Sequence, residues 1–283
     1  METIYDFITK EKVRYDKEIE LETGWNWSMK DHLRRSFLYK NSQFADNNQN
    51  RTLRPNKNIV LGILNVQYRT EGFDVKDIEL YVNDIKENYK SFLVKKYHDK
   101  WALEKSIDTH IDEVVESYCD YGGVLTQKKE EARPQVVNLR SLAFCDQRDI
   151  LAHPFAIRHT FSPSQLRKNK AWGKDENGAT MDIERLIALV LKDDKKKIEV
   201  FEVHGSLPVE WLEKHGHYNE SEKDVPQIQV VAFYQDENSQ EQGVTLFRHK
   251  EPALPFKFLK RDDIFNRALG RGGIEELFEP QKW

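Results

Sequence analysis

Val115-Glu116-Ser117-Tyr118-Cys119-Asp120-Tyr121-Gly122-Gly123 is the stretch at which the hydrophobic period of the chain changes. Upstream of it, Ile78, Tyr81, Val82, Ile85, Tyr89, Phe92, Leu93 and Tyr97 recur at three- and four-residue steps, and Trp101 and Leu103 follow. Ile107, Ile111, Val114, Val115 and Tyr118 then repeat the pattern. That spacing predicts two long amphipathic helices, or one bent helix, with the aromatic stripe packed in a core. The glycine pair stops the helix. Downstream the period is two: Val136, Val137, Leu139, Leu142 and Phe144 predict one or two strands, and Ile157–Phe161 another.

Working outward toward the N-terminus, Trp25, Met29, Leu33 and Phe37 stand at steps of four and predict a helix that ends before the polar tract 41–50. Ile59–Val66 follows Arg54-Pro55-Asn56 and suits helix or strand. Toward the C-terminus, Ser162-Pro163-Ser164-Gln165 is a capping box with proline at the first helical position. Thr180 or Asp182 can cap a helix over Met181–Leu191, whose end runs into lysines that suit the helix dipole. A β-rich stretch comes next, with Ile198–His204 alternating, a short helix from Ser206 through Trp211, and Ile228–Tyr234 pairing with Val244–Arg248. Pro255–Leu259 reads as an edge strand. The fold class expected from these segments is α+β.

The chain of 283 residues is 33% charged and 39% hydrophobic, with mean hydropathy −0.75. It can bury a core, and no window is apolar enough to span a membrane. The first 17 residues lack the apolar segment of a secretion signal. Cys119 and Cys145 form neither a disulfide framework nor a thiolate zinc motif, which favours a reducing compartment. A net charge of −4 argues against coating nucleic acid by bulk charge. Charge is nonetheless segregated, with eight Lys/Arg against two acids over Trp25–Arg69 and seven Lys against thirteen acids over Glu71–Tyr121. Adjacent blocks of opposite sign suit a surface that meets a complementary neighbour.

Catalytic templates are missing from the sequence: there is no GxSxG, HExxH, DFG, HRD or EF-hand string. Gly173–Thr180 has the spacing of a phosphate-binding loop, but Ala179 replaces its lysine, so it reads as a surface turn that binds no nucleotide. His215-Gly216-His217 and the set Cys145, His153 and His159 have no recognised ligand spacing. No metal and no cofactor are expected. Asp146, Asp149 and Asp182 are the carboxylates on which an alternative reading, a metal-dependent DNA-processing nuclease, would depend.

Four strings in order carry a resemblance. Val115–Gly123 leads into Ser141-Leu142-Ala143-Phe144-Cys145-Asp146-Gln147, then Glu202-Val203-His204-Gly205-Ser206-Leu207-Pro208, and finally Phe256-Lys257-Phe258 through Arg267-Ala268-Leu269-Gly270-Arg271-Gly272-Gly273-Ile274-Glu275-Glu276-Leu277. Together, over about residues 25–283, they resemble the portal (head–tail connector) proteins of tailed double-stranded DNA bacteriophages. The resemblance implies an N-terminal arm over 1–24, a wing-like helical and strand region over 25–161 and short helices including a stem-like one over 162–197. A clip-like α/β region over 198–260 follows, and over 261–283 a glycine turn opens a second stem helix that stops short at Trp283.

The same resemblance implies a structural, non-enzymatic virion protein at the capsid portal vertex, assembled in the host cytoplasm. Its subunits form a closed cyclic homo-oligomer, a dodecamer in the family, through which double-stranded DNA passes. The implied partners are the large terminase subunit, a head–tail adaptor and the major capsid protein, with no membrane. Head-to-tail ring interfaces suit a chain with one face of each sign, and mild acidity suits a conduit along which DNA must slide. Gly270, Gly272 and Gly273 are the candidate structural turn, and Trp211, Phe233, Tyr234 and Phe247 of the clip-like region are candidate partner-docking residues.

Overall fold

The computed structural model describes residues 3–41, 59–80, 88–129, 132–192, 197–212, 223–235 and 240–277. In chain order these form α1 (Ile4–Tyr15), β1 (Ile19–Glu22), β2 (Trp25–Trp27), α2 (Met29–Lys40), α3 (Ile59–Glu71), α4 (Asn88–Glu104), α5 (Ile107–Tyr121), β3 (Gly123–Gln127), β4 (Gln135–Val137), β5 (Leu142–Phe144), β6 (Phe155–Phe161), α6 (Pro163–Leu166), α7 (Ile183–Lys192), β7 (Ile198–Pro208), β8 (Asp224–Gln235), β9 (Glu241–Lys250) and β10 (Phe256–Lys260). The chain is α+β, and it divides into two units that are each discontinuous in sequence. Unit 1 is Met1–Lys30 with Arg140–Leu254, and unit 2 is Asp31–Leu139 with Pro255–Trp283. The division therefore cuts across the 25–161 segment expected as one region.

Unit 1 is built on an antiparallel sheet in the order β5-β6-β7-β8-β9, so each strand lies beside its neighbour in sequence. Side chains alternate across it as the strand period requires. Ile198, Val200, Val230, Ala232, Val244 and Leu246 turn to one face, where Leu186, Ile187 and Val190 of α7 cover them. Phe201 and Phe233 turn to the other, where Tyr5 packs on Phe233 and the Lys12 ammonium lies over both rings. Thr3 and Asp6 close a capping box that starts α1. The N-terminal arm thus folds as a helix on the sheet and a β1–β2 hairpin.

Unit 2 packs helices beside the antiparallel sheet β10-β3-β4, with β10 on an edge, as its leading proline requires. The core of the helices is Val75, Ala102, Ile107, Ile111, Val115 and Cys119. Ile59–Val66 resolves as helix α3, anchored by Val60 and Leu64. Gly122 ends α5 in the left-handed conformation at φ 74°, where glycine carries no steric cost.

Several sequence expectations change: Ile78–Leu80 is not helical and follows a single helical turn, Val75–Asp77, so among the described residues the helix expected from Ile78 is found only from Asn88. Trp25 stands in β2 rather than opening a helix, because Glu22 and Trp25 pair across the hairpin. Ser206 does not begin a helix: β7 continues its ladder with β8 through Ser206, Leu207 and Pro208, and only Val209–Trp211 forms a helical turn. The largest change is in α4. Its packed side consists of Ser91, Lys95, His98 and Ala102, while the aromatic stripe expected in the core faces outward. Tyr81, Val82 and Ile85 lie outside the described residues, as do His215, Gly216, His217 and Phe278.

Candidate functional site

The four candidate docking aromatics of the β-rich unit part company. Phe233 is 6% exposed between Tyr5 and Phe201, so its ring is core. Tyr234 and Phe247 are half-buried against the cluster under α7. Trp211 alone of the four lines a half-open groove of about 640 Å³, together with Phe7, Pro154, Pro208, Pro226 and Leu254. Its ring lies 5.5 Å from that of Phe7. Its carbonyl accepts from Arg248 Nη1 at 2.8 Å and from Gln229 Nε2 at 3.2 Å, which fixes the turn that carries the indole. Glu210 and Asp224 add carboxylates to the lining. An apolar floor with negative groups suits an apolar segment carrying cations.

Beside that sheet a buried charge cluster has formed that the sequence pattern did not reveal. His204, fully buried, directs Nδ1 at Glu251 Oε2 (3.1 Å) and Nε2 at Glu202 Oε1 (2.9 Å). His159 Nε2 meets the other oxygen of Glu202 at 3.1 Å. A neutral imidazole has one donor and could satisfy one carboxylate only, so this geometry favours the imidazolium. Burial would lower the His204 pKa, but the hydrogen bonds to Glu202 and Glu251 outweigh it and the pKa is raised. Burial likewise opposes ionisation of Glu202, yet His159 and His204 hold its carboxyl well below the usual range. The nearest sequence signal was the alternation of β7, which places Val200, Glu202 and His204 on one face.

The candidate glycine turn is a joint built onto the end of α5. Gly270 N–H donates to Gly122 O at 3.0 Å, and Gly273 N–H donates to Cys119 O at 2.8 Å, satisfying a carbonyl that the helix end leaves without a partner. A Cβ on Gly270 would sit 1.3 Å from the Arg261 carbonyl oxygen, so no larger residue fits there. On Gly272 it would meet Asp120 O at 2.6 Å, and on Gly273 the Gln67 side chain at 2.1 Å. Arg267, 1% exposed, clamps the turn from inside by donating to Leu269 O (2.9 Å), Gly270 O (2.6 Å) and both oxygens of Glu275 (2.8 and 2.6 Å). Nothing in the spacing of the sequence marked Arg267 as the clamp.

Nearby, Lys40 bonds Asp120 at 2.6 Å and Glu116 at 2.5 Å, and the Tyr68 hydroxyl donates to Asp120. Burial works against the Lys40 charge, but Asp120 more than compensates and raises its pKa.

The carboxylates of the nuclease alternative have local partners. Asp146 accepts from Arg148 N (2.7 Å), Asp149 from Leu151 N (3.1 Å), and Asp182 caps α7 by accepting from Glu184 N (2.7 Å). Among the described residues, no group of three or more His, Cys, Asp or Glu is arranged to hold a metal ion. In the Gly173–Thr180 loop, Gly173 and Thr180 donate their amides to Leu246 O and Thr245 O of β9, each at 2.8 Å, so the loop covers a sheet edge. No helix among the described residues is long and apolar enough to cross a membrane. No family model matches the sequence, and no curated protein matches it either.

Proposed function

We propose that the chain is a portal subunit of a tailed double-stranded DNA phage, a structural protein of a ring that passes DNA and docks the large terminase subunit and a head–tail adaptor. The reading is carried by one observation: the first and last strings of the resemblance, about 150 residues apart, meet in a single joint. There β3 pairs with β10, and the Gly270–Gly273 turn bonds Cys119 and Gly122. The other two strings lie together in the sheet of unit 1, where β5 and β7 flank β6. The first and last strings thus close directly on each other, and the middle two are joined through β6. In this reading the Trp211 groove is the docking element of the β-rich unit, and its carboxylates ask for a basic partner segment.

Native mass spectrometry of the chain at low and high salt tests the ring. Head-to-tail contact produces odd as well as even oligomers, which recede as salt screens the opposed charge blocks. A series that stops at a salt-resistant dimer overturns the reading. So does metal-dependent nicking of plasmid DNA by the purified chain, which would install the nuclease in its place.

A further inference from the structure

Helix α4 is placed with its sides reversed. Ser91, Lys95, His98 and Ala102 face the unit, whereas Tyr89, Phe92, Tyr97 and Trp101 expose 66, 63, 76 and 46% of their surface. At about 200 Å² for a whole aromatic side chain, these four present on the order of 500 Å². Leu93, Val94 and Leu103, also exposed, enlarge the patch toward the roughly 800 Å² that one partner contributes to a standard interface. Isolated monomers seldom expose so many large apolar side chains on one helix.

Charge and shape identify what covers it. Exposed Lys90, Lys96 and Lys100 interleave with these apolar side chains against Asp99 and Glu104, so the outward surface of the helix is basic. Neighbouring α5 exposes Asp108, Asp112 and Glu116 at four-residue steps, the last also bonded to Lys40, while Glu113 pairs with Arg133 and Asp120 is buried against Lys40. Beside α5 lies α3, tied to it by the Tyr68–Asp120 bond, and α3 exposes Ile59, Ile63 and Val66 along one side. Two α4 stripes set face to face would oppose lysine to lysine. The α3–α5 side offers apolar side chains next to carboxylates, the complement of α4 in both respects.

We infer that α4 is an intersubunit surface whose aromatic stripe docks on the exposed apolar side of α3 in a second copy of this chain. The inference rests on the ring reading for the number of copies joined, and the α4–α3 contact itself is tested apart from it. Because donor and acceptor patches differ, each copy has one of each to offer, and the contact propagates.

Complementation tests it. Phe92→Glu/Tyr97→Glu/Trp101→Glu destroys the stripe but keeps the α3 side, and Ile63→Glu/Val66→Glu does the reverse. All five side chains are exposed, so circular dichroism should match the wild type. In sedimentation velocity at about 100 µM, a concentration at which weak interfaces are populated, the wild type is expected to associate. Each variant alone should associate at least tenfold more weakly, and their equimolar mixture should form a one-to-one complex and nothing larger. Val13→Glu, at an exposed position of unit 1, should leave association unchanged. A wild type that stays monomeric overturns the inference, as does a variant that still assembles or a mixture that gains nothing over its components. So does an α4 variant whose sole loss is binding of a single-stranded oligonucleotide. A wild type limited to dimers, with complementation intact, sinks the ring reading and leaves the α4–α3 contact standing.

Discussion

Helix α7 gathers its apolar side chains on one face, whereas those of α4 are spread around the helix among lysines, and the two meet opposite fates. In unit 1 the α7 stripe closes on the sheet, and Leu186, Ile187 and Val190 are nearly inaccessible. In unit 2 the α4 stripe is turned away from the core that Ile107, Ile111 and Val115 of α5 fill. Periodicity reports that a helix has an apolar side; it does not report whether the surface covering that side belongs to the same chain. The two buried histidines divide the units in the same manner. His204 of unit 1 is held charged between carboxylates. His32 of unit 2 is pushed down to about 4 by burial, which outweighs the pull of Glu275.

The sharpest way to break the contrast is at the joint of unit 2. Gly270→Ala drives a methyl group into the Arg261 carbonyl, and a loss of about 4 kcal/mol, at the limit of single substitutions, is expected in urea unfolding. A loss below about 1 kcal/mol would mean that the turn yields and is not a fixed joint. Next comes the inward helix: Leu186→Ala leaves a cavity between α7 and the sheet and should cost about 3 kcal/mol, again read from urea unfolding.

The pH response should separate the units by sign. Because the His204 pKa is raised, its contribution is complete below about 6.5 and disappears as pH climbs through the raised value. Glu202, held low, adds stability above about 4.5 that is lost on acidification. His32 works the other way from His204: the unfolded chain takes up its proton below about 6.5, so unit 2 weakens as pH falls from there toward 4. Hydrogen exchange followed by peptide should show unit 1 loosening on the alkaline side and unit 2 alone loosening between about pH 6.5 and 4.5, below which the Glu202 contribution to unit 1 is lost as well. His204→Gln should flatten the first limb and leave the second. Identical profiles in both units would refute the assignment of these charges.

The smallest effect on folding belongs to the outward helix. Tyr97→Ala should change unfolding stability by less than about 0.5 kcal/mol, because the ring is 76% exposed. A cost comparable to that of Leu186→Ala would show that the stripe supports its own chain and needs no neighbour.

How much of this could be read in the residues depends on the range of the interaction that fixes each feature. The capping box at Ser162, the end of α5 at Gly122, the cap of α7 at Asp182 and the pairing of β8 with β9 are local, and local pattern announced them. The Ser206 turn was misread because a partner strand some twenty residues away decides it, and a ladder of hydrogen bonds outweighs a single capping preference. The site was harder still. Trp211 was legible as an aromatic in a β-rich stretch, but Phe233, with the same credentials, is buried by α1 from the far end of the chain. Arg267 and the His204 cluster are partnerships made by the fold, and an arginine or histidine carries no mark in sequence of whether it will be buried.

The discontinuity of the two units sets an order on biosynthesis. All of unit 1 has left the ribosome by Leu254, and its meandering sheet pairs each strand with the one made just before it. Unit 2 must wait, since β3 acquires its partner β10 only after the intervening chain, all of it belonging to unit 1 from Arg140 onward, has been translated. Until Phe256–Lys260 emerges, one edge of β3 has no ladder partner and the end of α5 lacks the amides of Gly270 and Gly273. At ordinary elongation rates of about 5–20 residues per second, that delay lasts on the order of ten seconds. Throughout it, the helices of the nascent unit are held by their own packing alone, while the later-made sheet of unit 1 overtakes them to completion.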